Sequence, residues 1–182
     1  MRKIEDVTLK DGRNLKEVLE LHKKWLEGEE DGKKATLSHE DLANVDLRGT
    51  DLKGIDLTGV DLTDADLSGS NLIAADLTTA DLIDANLENA NLKCANLRAA
   101  DLTGVNLKCA NLEGANLKCA NLIDSYLRGI DLKYANLKYA NLTDADLRGV
   151  DLRCVDLTDT ILTRTYLTGA DLSGAYLINE YL

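Results

Sequence analysis

The sequence predicts an all-β solenoid, a parallel β-helix of four-sided coils preceded by an N-terminal capping helix. Three observations predict it. Leucine occupies every fifth position from Leu37 to Leu182, thirty times without an insertion. The residue two before these leucines is Ala in most repeats, as at Ala65, Ala85 and Ala115, with Val, Ile, Ser or Thr at nearly all the others. Charge, finally, sorts cleanly when residues twenty apart are grouped together.

A period of five excludes the simpler folds. An α-helix turns 100° per residue, so successive leucines would sit 140° apart and spiral over every face. A flat strand alternates with period two, so an odd repeat would throw leucines to opposite faces. The conflict resolves if the chain turns a corner within each repeat. The Leu and the small residue two before it then point inward together, and the other three positions face outward. The slot after Leu carries eleven of the twelve basic residues beyond position 35, Arg48 and Lys93 among them. Corner slots hold many glycines, such as Gly49 and Gly129, as turn geometry favours. The chain has no proline, so no backbone donor is missing from the ladder between coils. Each coil buries its neighbours' inner faces, as in a solenoid.

Charge sets the number of corners. With four repeats per coil, one side is built on Leu42, Leu62, Leu82, Leu102, Leu122, Leu142, Leu162 and Leu182. It carries a net charge of −9, against −1, 0 and −1 for the other three. A fifteen-residue coil gives −6, −3 and −2, a blurrier division. The slot after Leu on the acidic side reads Ala43, Thr63, Ile83, Thr103, Ile123, Thr143, Thr163, with no base in it.

The repeat A-(D/N)-L-x-x resembles the pentapeptide-repeat family. Ala95-Asn96-Leu97 and Ala115-Asn116-Leu117 match the motif outright, and the resemblance covers residues 36–182. It implies a right-handed quadrilateral β-helix. At roughly 4.8 Å between stacked strands, a little over seven coils make a rod about 35 Å long.

Residues 1–35 form a separate N-terminal unit in this reading, because a solenoid end exposes unpaired backbone and needs a cap. Asn14 and Glu17 have capping-box spacing, and Gly28 stands where a helix stops. Between them Leu15, Val18, Leu19, His22, Trp25 and Leu26 share one helical face, expected to cover the first coil. Before the helix, Val7-Thr8-Leu9 and Asp11-Gly12 suggest a short strand and a turn. At the other end Ile161, Tyr166, Tyr176 and Tyr181 replace Asp or Asn before Leu. Aromatics beside an uncapped edge suggest a partner surface. Resemblance to family members that dimerise through their C-terminal ends makes a homodimer through Tyr166, Tyr176 and Tyr181 the expectation there.

The net charge of −11 argues against direct nucleic-acid binding, which needs a basic face. MRKIEDVTLKDGRN lacks a signal peptide's apolar run, and no stretch approaches membrane-spanning length. Cys94, Cys109, Cys119 and Cys154 have no CxxC spacing, which reads as reduced thiols in a cytoplasmic protein. No disulfide is expected, since Cys94 and Cys154 share a side but lie three coils apart, roughly 14 Å. Two histidines, His22 and His39, with no GxGxxG and no P-loop, give no case for an enzyme, a metal or a cofactor. The fourteen Asp and ten Asn before Leu recur because the fold is taken to accept either equally.

Two functional readings follow. One is a rigid structural or interaction module that binds an unidentified protein. The other resembles the quinolone-resistance branch of the family, whose rods imitate DNA and occupy type II topoisomerases such as DNA gyrase. The candidate surface is the acidic side: Asp41, Asp61, Asp81 and Asp101 in one row, and Asp64, Asp84, Asp124 and Asp144 along the corner. Coils copied whole would repeat such a side with no function attached. Its ten acids over about 35 Å come to about one per 3.5 Å, whereas duplex DNA carries one charge per roughly 1.7 Å.

Overall fold

A five-residue repeat turns its corner where the backbone leaves the right-handed region. In the computed structural model, which describes residues 1–178, every fifth residue from His39 to Gly174 has a positive φ. It is always the residue two after a repeat's leucine. The amide three after each repeat leucine from Leu37 to Leu172 donates to the leucine carbonyl, as Val45 N does to Leu42 O at 3.2 Å and Ala95 N to Leu92 O at 2.9 Å. Positive φ confined to the third residue of such a closed turn is the sign pattern of type II. Gly, Asn and Asp suit that position, yet Thr79, Ala99 and Tyr134 hold it too, at φ 55°, 55° and 59°, in a region that L-residues enter at a cost.

Between corners the residue before nearly every leucine from Leu37 to Leu157 bridges in parallel to the residue twenty further on. Asp41 pairs with Asp61, Asp61 with Asp81, Asp81 with Asp101 and Asp101 with Asn121. Leu62 N donates to Asp81 O at 2.7 Å, Asp81 N to Val60 O at 2.9 Å, and corner Asp64 N to Ile83 O at 2.9 Å. Residues twenty apart therefore stack, and each coil has four sides of five residues. Each side supplies a bridging residue rather than a continuous strand, because the next corner follows at once.

The interior is columns of leucine faced by small residues. From Leu37 to Leu157 no repeat leucine is more than 2% exposed. Hydroxyls in the small inward slot need partners when buried. Ser125 Oγ donates to Leu122 O at 2.7 Å and Thr160 Oγ1 to Leu137 O at 3.1 Å. Ser70 Oγ is buried without one among the described residues. The packing opens in the last described coil, where Leu167 and Leu172 are partly buried and Leu177 is 41% exposed.

At the N-terminal end, Thr8 bridges antiparallel to Asn14, and Leu9 N donates to Arg13 O around Gly12, whose φ is 87°. The turn falls where Asp11-Gly12 suggested it. Helix α1 runs Leu15–Glu27 and ends at Gly28, φ 78°. The capping box is only half formed: Asn14 Oδ1 accepts from Lys16 N at 2.9 Å, and Glu17 makes no return bond. Leu15, Val18 and His22 are buried. Trp25 departs from the expected apolar face and is 40% exposed, because it lies at the far end of α1 and stacks on His22 instead, ring centroids 5.5 Å apart. Two further features carry no signal in the sequence. Ile4–Asp6 is a short 3-10 turn. Arg2 adds a rung to the stack, donating to Asn44 O and accepting from Asp46 N at 2.8 Å.

Candidate protein-binding face

The acidic side owes its two lines of carboxylates to different local causes. Asp64, Asp84, Asp124 and Asp144 all sit at positive-φ corners, φ 55° to 59°, a conformation that Asp tolerates better than most residues. Asn44 and Gly104 fill the same column, so the backbone explains a short polar or glycine residue but does not require the charge. The row of Asp41, Asp61, Asp81 and Asp101 does something else. Each Oδ1 accepts the backbone N–H two residues on, from Ala43 at 3.1 Å, Thr63 at 3.0 Å, Ile83 at 3.2 Å and Thr103 at 3.1 Å. These side chains close the turn from outside. Asp61, Asp81 and Asp101 are half-buried, whereas Asp64, Asp84 and Asp124 are exposed at the corner.

The first and last of these eight carboxylates are ion-paired. Arg2 Nη1 reaches Asp41 Oδ1 at 3.0 Å. Arg164, which stands two after its leucine and not one, clasps Asp144 with Nε on Oδ1 at 2.7 Å and Nη2 on Oδ2. That guanidinium holds the Asp144 carboxyl below the usual carboxylate range. The eight carboxylates named from sequence therefore do not act alike. Among the described residues Asp61, Asp64, Asp81, Asp84, Asp101 and Asp124 are left without an ion pair, flanked by Thr63, Ile83, Thr103 and Ile123.

The equivalence of Asp and Asn before Leu does not hold. An Asn can donate from Nδ2 to the side-chain oxygen one coil back, as Asn71 does to Asp51 at 2.9 Å, Asn96 to Asp76 at 3.2 Å and Asn121 to Asp101 at 3.1 Å. A carboxylate has no such proton. Two stacked Asp pairs elsewhere are bridged by arginine: Arg48 lies 2.6 Å from Asp46 and 3.8 Å from Asp66, Arg153 2.7 Å from Asp151 and 3.8 Å from Asp171. Asp56 and Asp76 stack without one among the described residues. On the acidic side the Asp61–Asp81 and Asp81–Asp101 steps have neither device among the described residues, and the run ends where Asn121 donates to Asp101.

Of the residues proposed for the C-terminal contact, Tyr166 and Tyr176 are 55% and 61% exposed. Tyr181 lies outside the described residues. Sequence reasoning missed Tyr126, Tyr134 and Tyr139, which are also exposed. Tyr126 was findable, since it stands in the slot before Leu two coils ahead of Tyr166. Asp124, Ser125, Tyr126, Asp144, Asp146, Arg148 and Tyr166 line an open cleft of about 540 Å³ where the acidic side meets the next. Arg148 lies 5.9 Å from the Tyr166 ring centroid. The four cysteines are free and exposed. Among the described residues no group of three His, Cys, Asp or Glu could hold a metal ion, and no helix is long and apolar enough to cross a membrane.

Comparison with known proteins agrees with this repeat architecture. The family model described as pentapeptide repeats matches in eight copies, over residues 41–78, 80–118, 115–153 and 151–179. No curated protein sequence matches. Among solved structures, the chain is similar to HetL, a pentapeptide repeat protein involved in heterocyst differentiation regulation from the cyanobacterium Nostoc sp. strain PCC 7120. The identity is 35% over 81% of this chain and 74% of that one, with a TM-score of 0.38. A pentapeptide repeat protein from the Arabidopsis thaliana thylakoid lumen is 33% identical over 62% of this chain and 68% of its own, TM-score 0.34. QnrB1, a plasmid-mediated fluoroquinolone resistance protein, is 23% identical over 81% and 83%, TM-score 0.36. Proteins of this repeat form right-handed quadrilateral β-helices. With its repeats matched over most of its length and its coils closing every twenty residues, this chain belongs to the pentapeptide repeat family.

Proposed function

We propose that the protein is a non-enzymatic rod that docks a basic surface of another protein along its acidic side. The observation that carries this is the run of Asp61, Asp81 and Asp101 beside corner Asp64, Asp84 and Asp124, six carboxylates with no ion pair among the described residues, when the stacked pairs Asp46–Asp66 and Asp151–Asp171 are met by Arg48 and Arg153. Leaving like charges stacked without compensation is destabilising, and a basic partner would relieve it. The short Thr and Ile side chains beside them leave the side free of long overhanging groups. Free, exposed thiols fit a reducing, cytoplasmic setting.

The test compares partner capture by the parent and by a variant with Asp64, Asp84 and Asp124 changed to Asn, at two salt concentrations. Asp144 is left alone because Arg164 already holds it. Contacts through exposed charges weaken as salt rises, being screened beyond about 8–10 Å. A partner lost from the variant and weakened by salt supports the reading. The same partners at the same strength for both proteins would remove it.

A second reading, DNA mimicry toward a type II topoisomerase, draws on the same carboxylates. Neutralisation of Asp41 and Asp144 lowers the charge density further below that of a duplex. Added protein at micromolar concentration should inhibit gyrase supercoiling if this reading is correct, and leave it unchanged if not. A homodimer through the C-terminal end is supported by exposed Tyr166, Tyr176, Leu177 and Ile178. Sedimentation of the parent and of a Tyr166→Asp, Tyr176→Asp variant decides it. A parent that sediments as a monomer at tens of micromolar ends that idea.

A further inference from the structure

His22 is fully buried between α1 and the first coils, and its ring has one defined bond. Nδ1 accepts the backbone N–H of Ala35 at 3.1 Å. An acceptor Nδ1 places the ring proton on Nε2, which is itself buried with no partner in hydrogen-bonding geometry. Ala35 begins the stack: it is 3% exposed, and the next residue, Thr36, makes the first coil bridge, to Asp56. The bond therefore ties the helix to the segment where the chain enters the solenoid. Trp25 covers the ring from the helix side, its plane 18° from that of His22.

We propose that His22 is a proton-sensitive latch, which holds α1 on the first coils while the imidazole is neutral and releases it when the ring takes a second proton. That proton has one place to go, Nδ1, where the Ala35 N–H already points. Two donors would then face each other, and a buried cation would replace a neutral ring. The charged groups around the ring do not reverse this. Asp51, on the coil side built on Leu52, favours the cation, as does the backbone of Lys53. The Lys34 ammonium, from the segment entering the coils, opposes it. Burial outweighs them and lowers the imidazole below its ordinary value.

The sign of the effect follows. A base whose folded value lies below its free value holds its structure fully at high pH. It loses that contribution as pH falls below the free value of about 6.5, by up to tenfold in the docking equilibrium per pH unit until the folded value is reached. At pH 5 the equilibrium is weakened by up to about thirtyfold on the same constants. Carboxylates ordinarily titrate near 4, below this window. Release would uncover Leu15 and Val18 on the helix, and Ala35 and Leu37 at the mouth of the solenoid.

The experiment follows the full chain between pH 7.5 and 5.0 by two readouts. One is emission of Trp25, the single tryptophan. The other is the protection factor of the Ala35 amide against hydrogen exchange, with mid-rod amides such as Leu97 as the reference. The expected result is a red shift of Trp25 and a drop of tenfold or more in Ala35 protection, with the mid-rod unchanged. In His22→Asn, whose side chain offers an acceptor oxygen with no proton to gain, both changes should vanish. Flat readouts in the parent, or the same transition in His22→Asn, would overturn the latch. Should that variant fail to dock its helix, nitrogen NMR of the parent still decides. A neutral ring at pH 7.5 with its proton on Nδ1, or a His22 midpoint at or above the free value of about 6.5, excludes the mechanism.

Discussion

Asn86 Nδ2 donates to the Asp66 Oδ1 one coil back at 3.1 Å, while Asn106 Nδ2 donates in turn to Asn86 Oδ1 at 3.0 Å. A ladder of side chains thus runs outside the backbone ladder, and its direction depends on which rungs carry an amide.

Asn86→Asp removes the donor and sets a carboxylate between Asp66 and Glu88. A lost charge-assisted bond and a new like-charge contact should cost about 1–2 kcal/mol at pH 7. Much of that loss should return below about pH 4, where carboxyls protonate. Urea unfolding at the two pH values measures it, and an unchanged midpoint at pH 7 would refute the ladder.

The reverse change should stabilise. In Asp81→Asn the new amide can donate to Asp61 Oδ1 and breaks a run of stacked carboxylates. The expected gain is about 0.5–1.5 kcal/mol, seen as a higher thermal midpoint. A lower midpoint would mean that the acidic row is stabilised by something other than the contacts described.

Leu97 has no exposed surface, whereas Leu177 is 41% exposed. Leu97→Ala should cost about 2–5 kcal/mol, the loss of a buried side chain plus the cavity left behind. Leu177→Ala should cost less than about 1 kcal/mol. Replacing Leu97 with Asp is more severe, since the carboxylate would have no partner in the column. A Leu97→Asp protein that melts like the parent would place Leu97 outside the core.

Gly49 sits at a corner with φ 63°, and an added Cβ would meet nothing within 4 Å. Any loss in Gly49→Ala is therefore backbone strain, about 1–2 kcal/mol, less the roughly 0.4–1 kcal/mol gained from a stiffer unfolded chain. Gly49→Asn should lose less, because Asn tolerates the left-handed region. Equal stability of all three proteins in denaturant titration would show that the corner is not strained.

Asp46 is lowered to about 2 by its hydrogen bonds with Arg48. A carboxyl with a depressed folded value stabilises above its free value of 3.8 and loses that contribution as pH falls from there through about 2. Discounted for partial exposure, the effect is about 1 kcal/mol. Arg48→Ala should flatten stability against pH between about 4 and 2, and a slope like the parent's would assign the window to other groups.

The sequence by itself determined the period, the inward and outward slots and the four-sided coil. These are encoded within five consecutive residues and repeated in phase, so the corner and the buried leucine coincide in every repeat from Leu37 to Leu157. It also marked the helix limits, since Asn14 and Gly28 act on their immediate neighbours. The tertiary structure decided what depends on side chains reaching between residues far apart in the chain. Arg2 meets Asp41 because the N-terminal segment adds a rung to the stack. Arg164 meets Asp144 because twenty residues bring the chain back to the same corner. Asp and Asn look interchangeable within one repeat and cease to be so once another coil lies against them, because only the amide has a proton to donate. His22 reads as one more position on an apolar helical face until folding sets the Ala35 amide against its ring.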